Sequence, residues 1–319
     1  MAVSGAGDSR SGVKQRSRAS NVEAGLGRDN VCIGAHVSTA GGMDKAVGRA
    51  LDMGACVMQT HPAAPQSWRH SEMDDAQLAQ YQKVVDGSGV QFHFFHAIYL
   101  INLGTPDPEH RQKSIAALQW SLRYASRLGV DGVVFHPGSH RGEGFDTVLP
   151  RVRSAIAEVV ADAPAGVRLL LENSAGQGGG LGRTLEEWAA MLEGTSPDSV
   201  GVCLDTAHLF ASGWDIRDKA GADAFAAEFG KLIGWKRLAV IHANDSRAAL
   251  SSNVDRHANI GEGEIGLSGF SALMGVSELR SAPWVLEVPG EGKGPDLDNV
   301  NRLRAVAGLP PVAPALSAG

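Results

Sequence analysis

The residues with the clearest chemical potential stand at the ends of short apolar segments. In the stretch VGVCLDTAHLF, an apolar run ends in Asp205, and His208 follows three residues later. If a strand ends at Asp205 and the chain then turns, the carboxylate and the imidazole can face one point, where both could bind a divalent metal. Alternatively, Asp205 caps a following helix and His208 is a satisfied polar residue. This stretch alone does not decide between the two interpretations.

The same pattern recurs along the chain, because the other apolar segments also end in histidine or in an acidic residue. The first two end at His36 and His61, and the seventh is followed by the triplet DRH, which supplies Asp255 and His257. Nine residues form the candidate ligand set: His96, His136, Glu172, Asp205, His208, His242, Asp255, His257 and Glu287. At about three to four protein ligands for each ion, this set could serve two or three ions.

The donor types in this set favour particular metals. Several carboxylates in one pocket repel each other, and burying them unpaired costs several kcal/mol, which divalent cations would offset. Nitrogen and carboxylate oxygen donors without a thiolate suit Zn²⁺, or Mn²⁺ at part of the site, better than Ca²⁺. We expect His36 to support this site or to touch substrate, and His61 to have a packing or loop role at least as readily as a ligand role.

The elements that must position these residues alternate between apolar strands and amphipathic helices. Eight strands are predicted, at 31–37, 56–61, 91–97, 132–138, 168–173, 200–205, 238–244 and 284–290. Strands that are apolar on both faces and alternate with helices indicate a parallel sheet, and eight such units match a single-domain α/β fold, the (β/α)8 TIM barrel. An open doubly wound sheet is the competing architecture, but the GxGxxG loop typical of it is absent after the first strand. In a barrel, all the strand ends listed above meet at one mouth.

Composition limits the compartment and the partners. The formal net charge of −6 gives no general attraction to nucleic acid, so DNA binding would need a locally basic face or bound cations. No apolar run approaches the roughly 18 residues of a membrane span, and the N-terminus has no secretory signal. The three cysteines form no CxxC pair, which predicts a reducing compartment and no disulfide. We expect a cytoplasmic monomer with no membrane association.

Both ends of the chain differ from its middle. Residues 1–30 are rich in Ser, Gly, Ala and Arg and contain almost no large apolar side chains, so a disordered tail is predicted there. The catalytic barrel is predicted over residues 31–307, and a flexible tail over residues 308–319.

The strand-end residues lie within motifs that resemble those of the endonuclease IV family, the zinc-dependent apurinic/apyrimidinic (AP) endonucleases of base-excision repair. The resemblance extends from about Val31 to about Ala307. It rests on IGAHVSTAGG (33–42), YLINLG (99–104), FHPGSH (135–140), LENSAGQG (171–178), GVCLDTAH (201–208), HANDS (242–246), VDRHANIGEGEIG (254–266) and VLEVPG (285–290). The loop after the second strand departs from the family, because Ala64 stands where the family tends to have Asn.

The resemblance implies three zinc ions at the barrel mouth. Carried over by position, His96 and His136 would hold one zinc, with Glu172 bridging it to a second. Asp205, His242 and Glu287 would complete the second site. The third zinc would lie between His208, Asp255 and His257. The family pattern therefore selects the same nine residues as the strand ends.

The implied reaction is hydrolysis of the phosphodiester bond 5′ to an abasic site in double-stranded DNA, giving a 3′-hydroxyl and a 5′-deoxyribose phosphate. The enzyme would be an AP endonuclease of the deoxyribonuclease IV type, with Glu172 as its catalytic residue. Zinc lowers the pKa of bound water toward about 7, which provides hydroxide for attack on phosphorus. An abasic nucleotide has no base to unstack, so it is easily flipped into the pocket. The expected DNA contacts are His36, Pro65, Gln66, Trp68, Arg69, Tyr99, Asn244, Ser246, Arg247 and Arg256.

Two rival functions remain open from the sequence. A metal-dependent sugar isomerase or epimerase on a related barrel would use Glu172, Asp205, His242 and Glu287 with one or two ions. It would have no need of the further histidines or of the DRH triplet. A non-catalytic DNA- or metal-binding relic would be expected to have lost at least one ligand, and all nine are present.

Overall fold

The computed structural model describes residues 31–313, and its central feature is a closed barrel of eight parallel strands. The strands of the barrel are β1 (Ile33–His36), β2 (Val57–Thr60), β3 (Phe92–His96), β4 (Gly132–Phe135), β5 (Arg168–Glu172), β6 (Val200–Asp205), β7 (Leu238–His242) and β10 (Trp284–Leu286). Around the barrel the order is β1, β10, β7, β6, β5, β4, β3, β2. A two-stranded antiparallel sheet in the loop after β7 pairs β8 (Asp245–Ser246) with β9 (His257–Ala258).

Helices follow the strands and cover the outside of the barrel. They are α1 (Met43–Asp52), α2 (Asp75–Asp86), α3 (Pro108–Leu128), α4 (Phe145–Val160), α5 (Leu185–Leu192), α6 (Thr206–Ser212), α7 (Lys219–Leu232), α8 (Gly266–Met274), α9 (Ser277–Arg280) and α10 (Leu297–Val306). The predicted single-domain (β/α)8 barrel is therefore confirmed.

The alternation of side chains along each strand creates two separate apolar regions. Inward-facing residues such as Val57, Phe94 and Val285 fill the barrel, while outward-facing residues such as Met58 and Phe95 pack beneath the helices. This double burial explains why the strands read as continuous apolar runs. The interior is packed and holds the strand ends rigidly at the mouth.

A local capping contact sets the start of two helices, and one of these is the cap at Asp205 that the sequence left open. The long helix α3 begins at Pro108, ahead of the apolar pattern, because the Asp107 side chain accepts the N–H groups of Glu109 and His110. The short helix α6 begins directly after β6, because Asp205 Oδ1 accepts the N–H of His208 at 2.8 Å. Asp205 is therefore a helix cap as well as a strand-end residue.

The prediction that the chain has no disulfide is wrong. Cys32 and Cys56 form a disulfide, with their Cα atoms 5.5 Å apart, while Cys203 is free and buried. The two cysteines precede β1 and β2, which are parallel neighbours, so the register of the barrel brings them together. A separation of 24 residues with no CxxC spacing carries no sign of this contact.

The end of the chain is described as far as residue 313. Val312 exchanges two hydrogen bonds with the Asn301 side chain on α10, so this part of the predicted flexible tail is attached to the barrel. The tail predicted at 1–30 lies outside the described residues, as do residues 314–319. Within the range described, no helix has the length and hydrophobicity needed to cross a bilayer.

Candidate metal centre

The nine predicted ligands gather at the carboxyl ends of the strands. Eight of them form three groups whose donor atoms lie within 4.8 Å of one another, two of the eight belong to two of these groups, and Asp255 lies beside the third group. The groups are His96, His136 and Glu172; Glu172, Asp205, His242 and Glu287; and Asp205, His208 and His257. Glu172 thus joins the first group to the second, and Asp205 joins the second to the third.

The first group is built from the ends of β3, β4 and β5. Glu172 Oε2 lies 3.3 Å from His96 Nε2 and 3.5 Å from His136 Nε2. His96 Nδ1 donates to the carbonyl of Ala97 at 2.8 Å, which leaves the Nε2 lone pair directed at Glu172. Two imidazole nitrogens and one carboxylate oxygen, all possible metal ligands, therefore lie close together.

The second group lies at the centre of the mouth. His242 Nδ1 is 3.0 Å from Glu172 Oε1 and 3.1 Å from Glu287 Oε2. Asp205 completes the group from β6, and its Oδ2 accepts the Asn244 side-chain amide at 2.6 Å. Three carboxylates around one imidazole would repel each other strongly unless a cation lay among them.

The third group lies where the loop between β7 and β10 folds back over α6. His208 donates from Nδ1 to the carbonyl of Asn173 at 3.0 Å, so its Nε2 is directed at Asp255 Oδ2, 3.1 Å away. His257 Nε2 is 3.3 Å from Asp255 Oδ1 and 3.7 Å from Asp205 Oδ2. Asp205 and His208, the pair in VGVCLDTAHLF, therefore share one group, while Asp205 also serves the central one.

The donor atoms fit divalent metal ions. Glu172 Oε2 and His257 Nε2 are buried and have no hydrogen-bond partner, which is costly for polar atoms of this kind unless an ion occupies the space between the donors. Imidazole nitrogen and carboxylate oxygen suit zinc. Cys203 also lies within reach of Glu172 and His242, so one thiol stands beneath the central group.

Attraction between the imidazoles and carboxylates of these groups shifts their pKa values. Burial lowers the pKa of His208, but the neighbouring charges of Asp205 and Asp255 outweigh burial and raise this pKa to about 10. Burial raises the pKa of Glu172, yet the His136 and His242 rings hold it well below its usual value. The pocket therefore favours ionised carboxylates, as metal binding requires.

Several residues that support the ligands were missed by the sequence reasoning. The Asn173 side chain bonds the backbone N–H and carbonyl of Asp205 at 2.6 and 3.0 Å. The Asp245 carboxylate accepts N–H groups from the loop that follows β9, including those of Gly261, Gly263 and Ile265 at 3.0 Å each. Such contacts join distant parts of the chain and leave no local pattern in it.

The expected DNA contact is wrong for two residues. Asn244 and Ser246 are fully buried. The side-chain nitrogen of Asn244 donates to Asp205 Oδ2, and its side-chain oxygen accepts the backbone N–H of Glu287. Ser246 lies in β8, and its hydroxyl donates to the carbonyl of Ala248. Neither side chain reaches the surface.

The other expected contacts surround the mouth. Gln66, Arg69, Arg247 and Arg256 are exposed, and the Tyr99 side chain is 58% exposed. Trp68 is half-buried, with its ring 5.5 Å from that of His110. Pro65 is also half-buried, and its carbonyl accepts the Tyr99 N–H at 2.8 Å. His36 is partly covered, with its ring 4.5 Å from that of His61.

An open groove extends from the first and third groups toward this surface. Its volume is about 540 Å³, and it is lined by residues that include Tyr99, Asn102, Arg141, Gln177 and Arg256. His136, His208 and Asp255 form its inner wall. The groove therefore connects two of the ligand groups to solvent through a partly basic opening.

Comparison with known proteins shows that this chain is similar to a family of TIM-barrel proteins and, within it, to proteins named probable endonuclease 4. The family model described as xylose isomerase-like TIM barrel matches residues 43–306. A protein of Geobacter sulfurreducens named probable endonuclease 4 is 40% identical over 279 residues, which cover 86% of this chain and 94% of that protein. A protein of Methanoculleus marisnigri with the same name is 38% identical, with 87% and 99% covered.

A solved structure agrees with these relatives. The crystal structure of endonuclease IV from Thermus thermophilus superposes with a TM-score of 0.76 at 33% sequence identity. The match covers 86% of this chain and 98% of that one. The similarity therefore extends over most of this chain and nearly all of that structure.

Proposed function

Because this chain belongs to the endonuclease 4 family, we propose that it is a DNA-repair hydrolase that cleaves the phosphodiester bond 5′ to abasic sites. The products are a 3′-hydroxyl and a 5′-deoxyribose phosphate. The proposed cofactor is zinc, three ions for each chain, with manganese as an alternative at part of the cluster. The proposed substrate is double-stranded DNA that contains an abasic nucleotide.

The observation that carries this proposal is the sharing of ligands between three adjacent groups. Glu172 presents one oxygen to His96 and His136 and the other to His242, so its two oxygens serve two sites. Asp205 belongs to both the second and the third group. A cluster of adjacent ions suits phosphodiester hydrolysis, since it can stabilise the charge on both the attacking and the leaving oxygen.

The bound metal and the protein's own residues would have different roles in the reaction. Bound zinc would supply Lewis acidity, which lowers the pKa of water to about 7 and neutralises phosphate charge. Glu172 holds the first two groups together and orients the attacking nucleophile. Backbone carbonyls of Ala97 and Asn173 accept from Nδ1 of His96 and His208, so Nε2 of each ring faces the other proposed ligands and would bind the metal.

The groove and the exposed residues around it are proposed to hold the DNA. Arg256 and Arg141 at the groove can pair with phosphates, and Tyr99 offers a ring beside the opening where the abasic nucleotide would enter. Gln66, Trp68 and Arg69 stand in the loop after β2, on the side of Tyr99. The expected contact of His36 with substrate stays part of this proposal.

The sugar isomerase alternative is disfavoured by the size of the cluster. The central group of Glu172, Asp205, His242 and Glu287 would suffice for such an enzyme. The first and third groups add imidazoles that an isomerase would not need, and the buried unpartnered nitrogen of His257 belongs to one of them.

The proposal is tested by two measurements on the full-length protein. Zinc is counted for each chain by elemental analysis, and the protein is incubated with a labelled duplex that carries one abasic analogue. We expect close to three ions and a single nick 5′ to the analogue, with no nick in the same duplex without the lesion. Fewer than two bound ions together with an intact lesion strand would contradict the proposal.

A further inference from the structure

One buried side chain beneath the cluster has no role in the proposed chemistry so far. Gln59 on β2 is fully buried and points into the barrel, on the same face as Val57. It is a polar residue in an otherwise apolar strand interior. Burying a carboxamide is costly unless its hydrogen bonds are made, so its partners define its purpose.

All polar groups of the Gln59 amide have partners, and two of these partners are proposed ligands. Its Nε2 donates to Glu287 Oε1 at 2.7 Å, and the same nitrogen lies 3.1 Å from His36 Nδ1. Its Oε1 lies 2.9 Å from His242 Nε2. The side chain thus reaches from β2 past β1 to Glu287, which directly follows β10, and to His242 on β7, so it connects four consecutive strands of the barrel.

The orientation of this amide follows from the chemistry of its partners. An ionised carboxylate can only accept hydrogen bonds, so the amide nitrogen must face Glu287. The amide oxygen is then left to face His242, which must donate through Nε2–H. A histidine that carries its proton on Nε2 offers its lone pair on Nδ1, and Nδ1 is the atom that faces Glu172 and Glu287.

We propose that Gln59 is a positioning residue for the central metal site, which it serves by fixing the Nε2–H tautomer of His242 and the orientation of the Glu287 carboxylate. A neutral amide suits this task because it donates and accepts at once. A lysine would add positive charge beside the ions, and a glutamate could not donate to Glu287. The inference rests on the proposed function, since it assumes that the central group binds metal.

The first test is zinc affinity in a matched pair of variants, measured by competition with a chromogenic chelator. Gln59→Met keeps the length of the side chain and removes the amide. Thr60→Val changes the next residue, which is equally buried but faces outward, where its hydroxyl contacts His93 at 2.9 Å. Gln59→Met is expected to weaken one of the bound ions about 10- to 100-fold, and Thr60→Val to leave all ions unchanged.

The second test uses the zinc-loaded wild-type protein and does not depend on the folding of any variant. Long-range proton–nitrogen correlation of the ¹⁵N-labelled histidine rings identifies the nitrogen that carries the proton. For His242 we expect a proton on Nε2 and coordination through Nδ1. Coordination through Nε2 would overturn the inference, because Gln59 would then face a ligand atom.

The outcomes separate this inference from the function on which it rests. If the wild-type protein binds fewer than two ions, the proposed function fails and this inference fails with it. If the wild-type protein binds its ions and Gln59→Met binds them equally tightly, only the role of Gln59 is refuted. A loss of affinity in Thr60→Val equal to that in Gln59→Met would also refute it, since any defect in β2 would then suffice.

Discussion

Glu172 has the central position among the individual residues, because each of its oxygens serves a different group. It is 1% exposed, and Oε2 has no hydrogen-bond partner although two imidazoles lie within 3.5 Å. The two interpretations of Asp205 and His208 are compatible for a similar reason. One Asp205 oxygen caps α6, and the other faces Asn244 and His257.

Replacing the shared carboxylate should stop the reaction. Glu172→Gln keeps the shape of the side chain but replaces one ligand oxygen with an amide nitrogen, so only one group retains its oxygen. Turnover on an abasic duplex is expected to fall below about a hundredth of the wild-type rate. Glu186→Gln, an exposed change at the start of α5, serves as the control and should leave turnover unchanged. Cleavage by Glu172→Gln at the wild-type rate would disprove its assigned role.

The metal-free protein should lose stability as the pH rises. The pKa of His208 is raised to about 10 by Asp205 and Asp255 despite burial, while an unfolded histidine titrates near 6.5. A raised folded-state pKa contributes stability that is fully present below about pH 6.5 and is lost as the pH approaches 10. Urea unfolding of chelator-treated protein across this range should give a falling free energy of unfolding. A flat or rising profile would show that His208 is not held as an imidazolium.

Among the elements, the loop between β7 and β10 depends on one buried side chain. The Asp245 carboxylate accepts the backbone N–H groups of Gly261, Gly263, Ile265 and Gly266, which turns this loop back over the mouth. The pairing of β8 with β9 then places His257 opposite Ser246. The third ligand group therefore depends on an element that Asp245 organises.

Replacing this carboxylate should disturb the third group selectively. Asp245→Asn puts an amide N–H₂ among backbone N–H groups, and several charge-assisted hydrogen bonds are lost together. We expect the free energy of unfolding to fall by about 3 kcal/mol and one zinc to bind more weakly.

Two further variants serve as comparisons for Asp245→Asn. Asp215→Asn breaks an exposed ion pair with Arg217 and should cost less than about 1 kcal/mol. His208→Ala removes a proposed ligand directly and should weaken the same zinc. Full zinc content and unchanged stability in Asp245→Asn would contradict the role given to this residue.

At the scale of the whole molecule, the negative net charge opposes the binding of a negatively charged substrate. The chain has a formal net charge of −6, yet the proposed substrate is a polyanion. The carboxylates at the mouth would add to the repulsion if they stood alone. Bound divalent ions would reverse the local charge at the inner end of the groove, where the phosphate must lie.

DNA binding should therefore depend on the metal. Removal of zinc by a chelator is expected to weaken binding to a duplex with an uncleavable abasic analogue by about tenfold or more, because the charge at the mouth becomes negative. Fluorescence anisotropy at fixed salt measures the affinity, and restored zinc should recover it. Equal affinity of the stripped and loaded proteins would mean that the loop arginines alone hold the DNA.

The strands, the barrel and the gathering of the candidate ligands at its mouth could be predicted from the sequence, because side-chain alternation and strand-end position are local properties of a parallel barrel. The pairing of Cys32 with Cys56, the burial of Asn244, and the contacts of Gln59 and Asp245 required the tertiary structure. Each of these depends on which strands become neighbours and how far a side chain reaches across the barrel. Local sequence patterns specify which face of a strand a residue occupies, whereas the partner it meets there is decided only when the barrel closes.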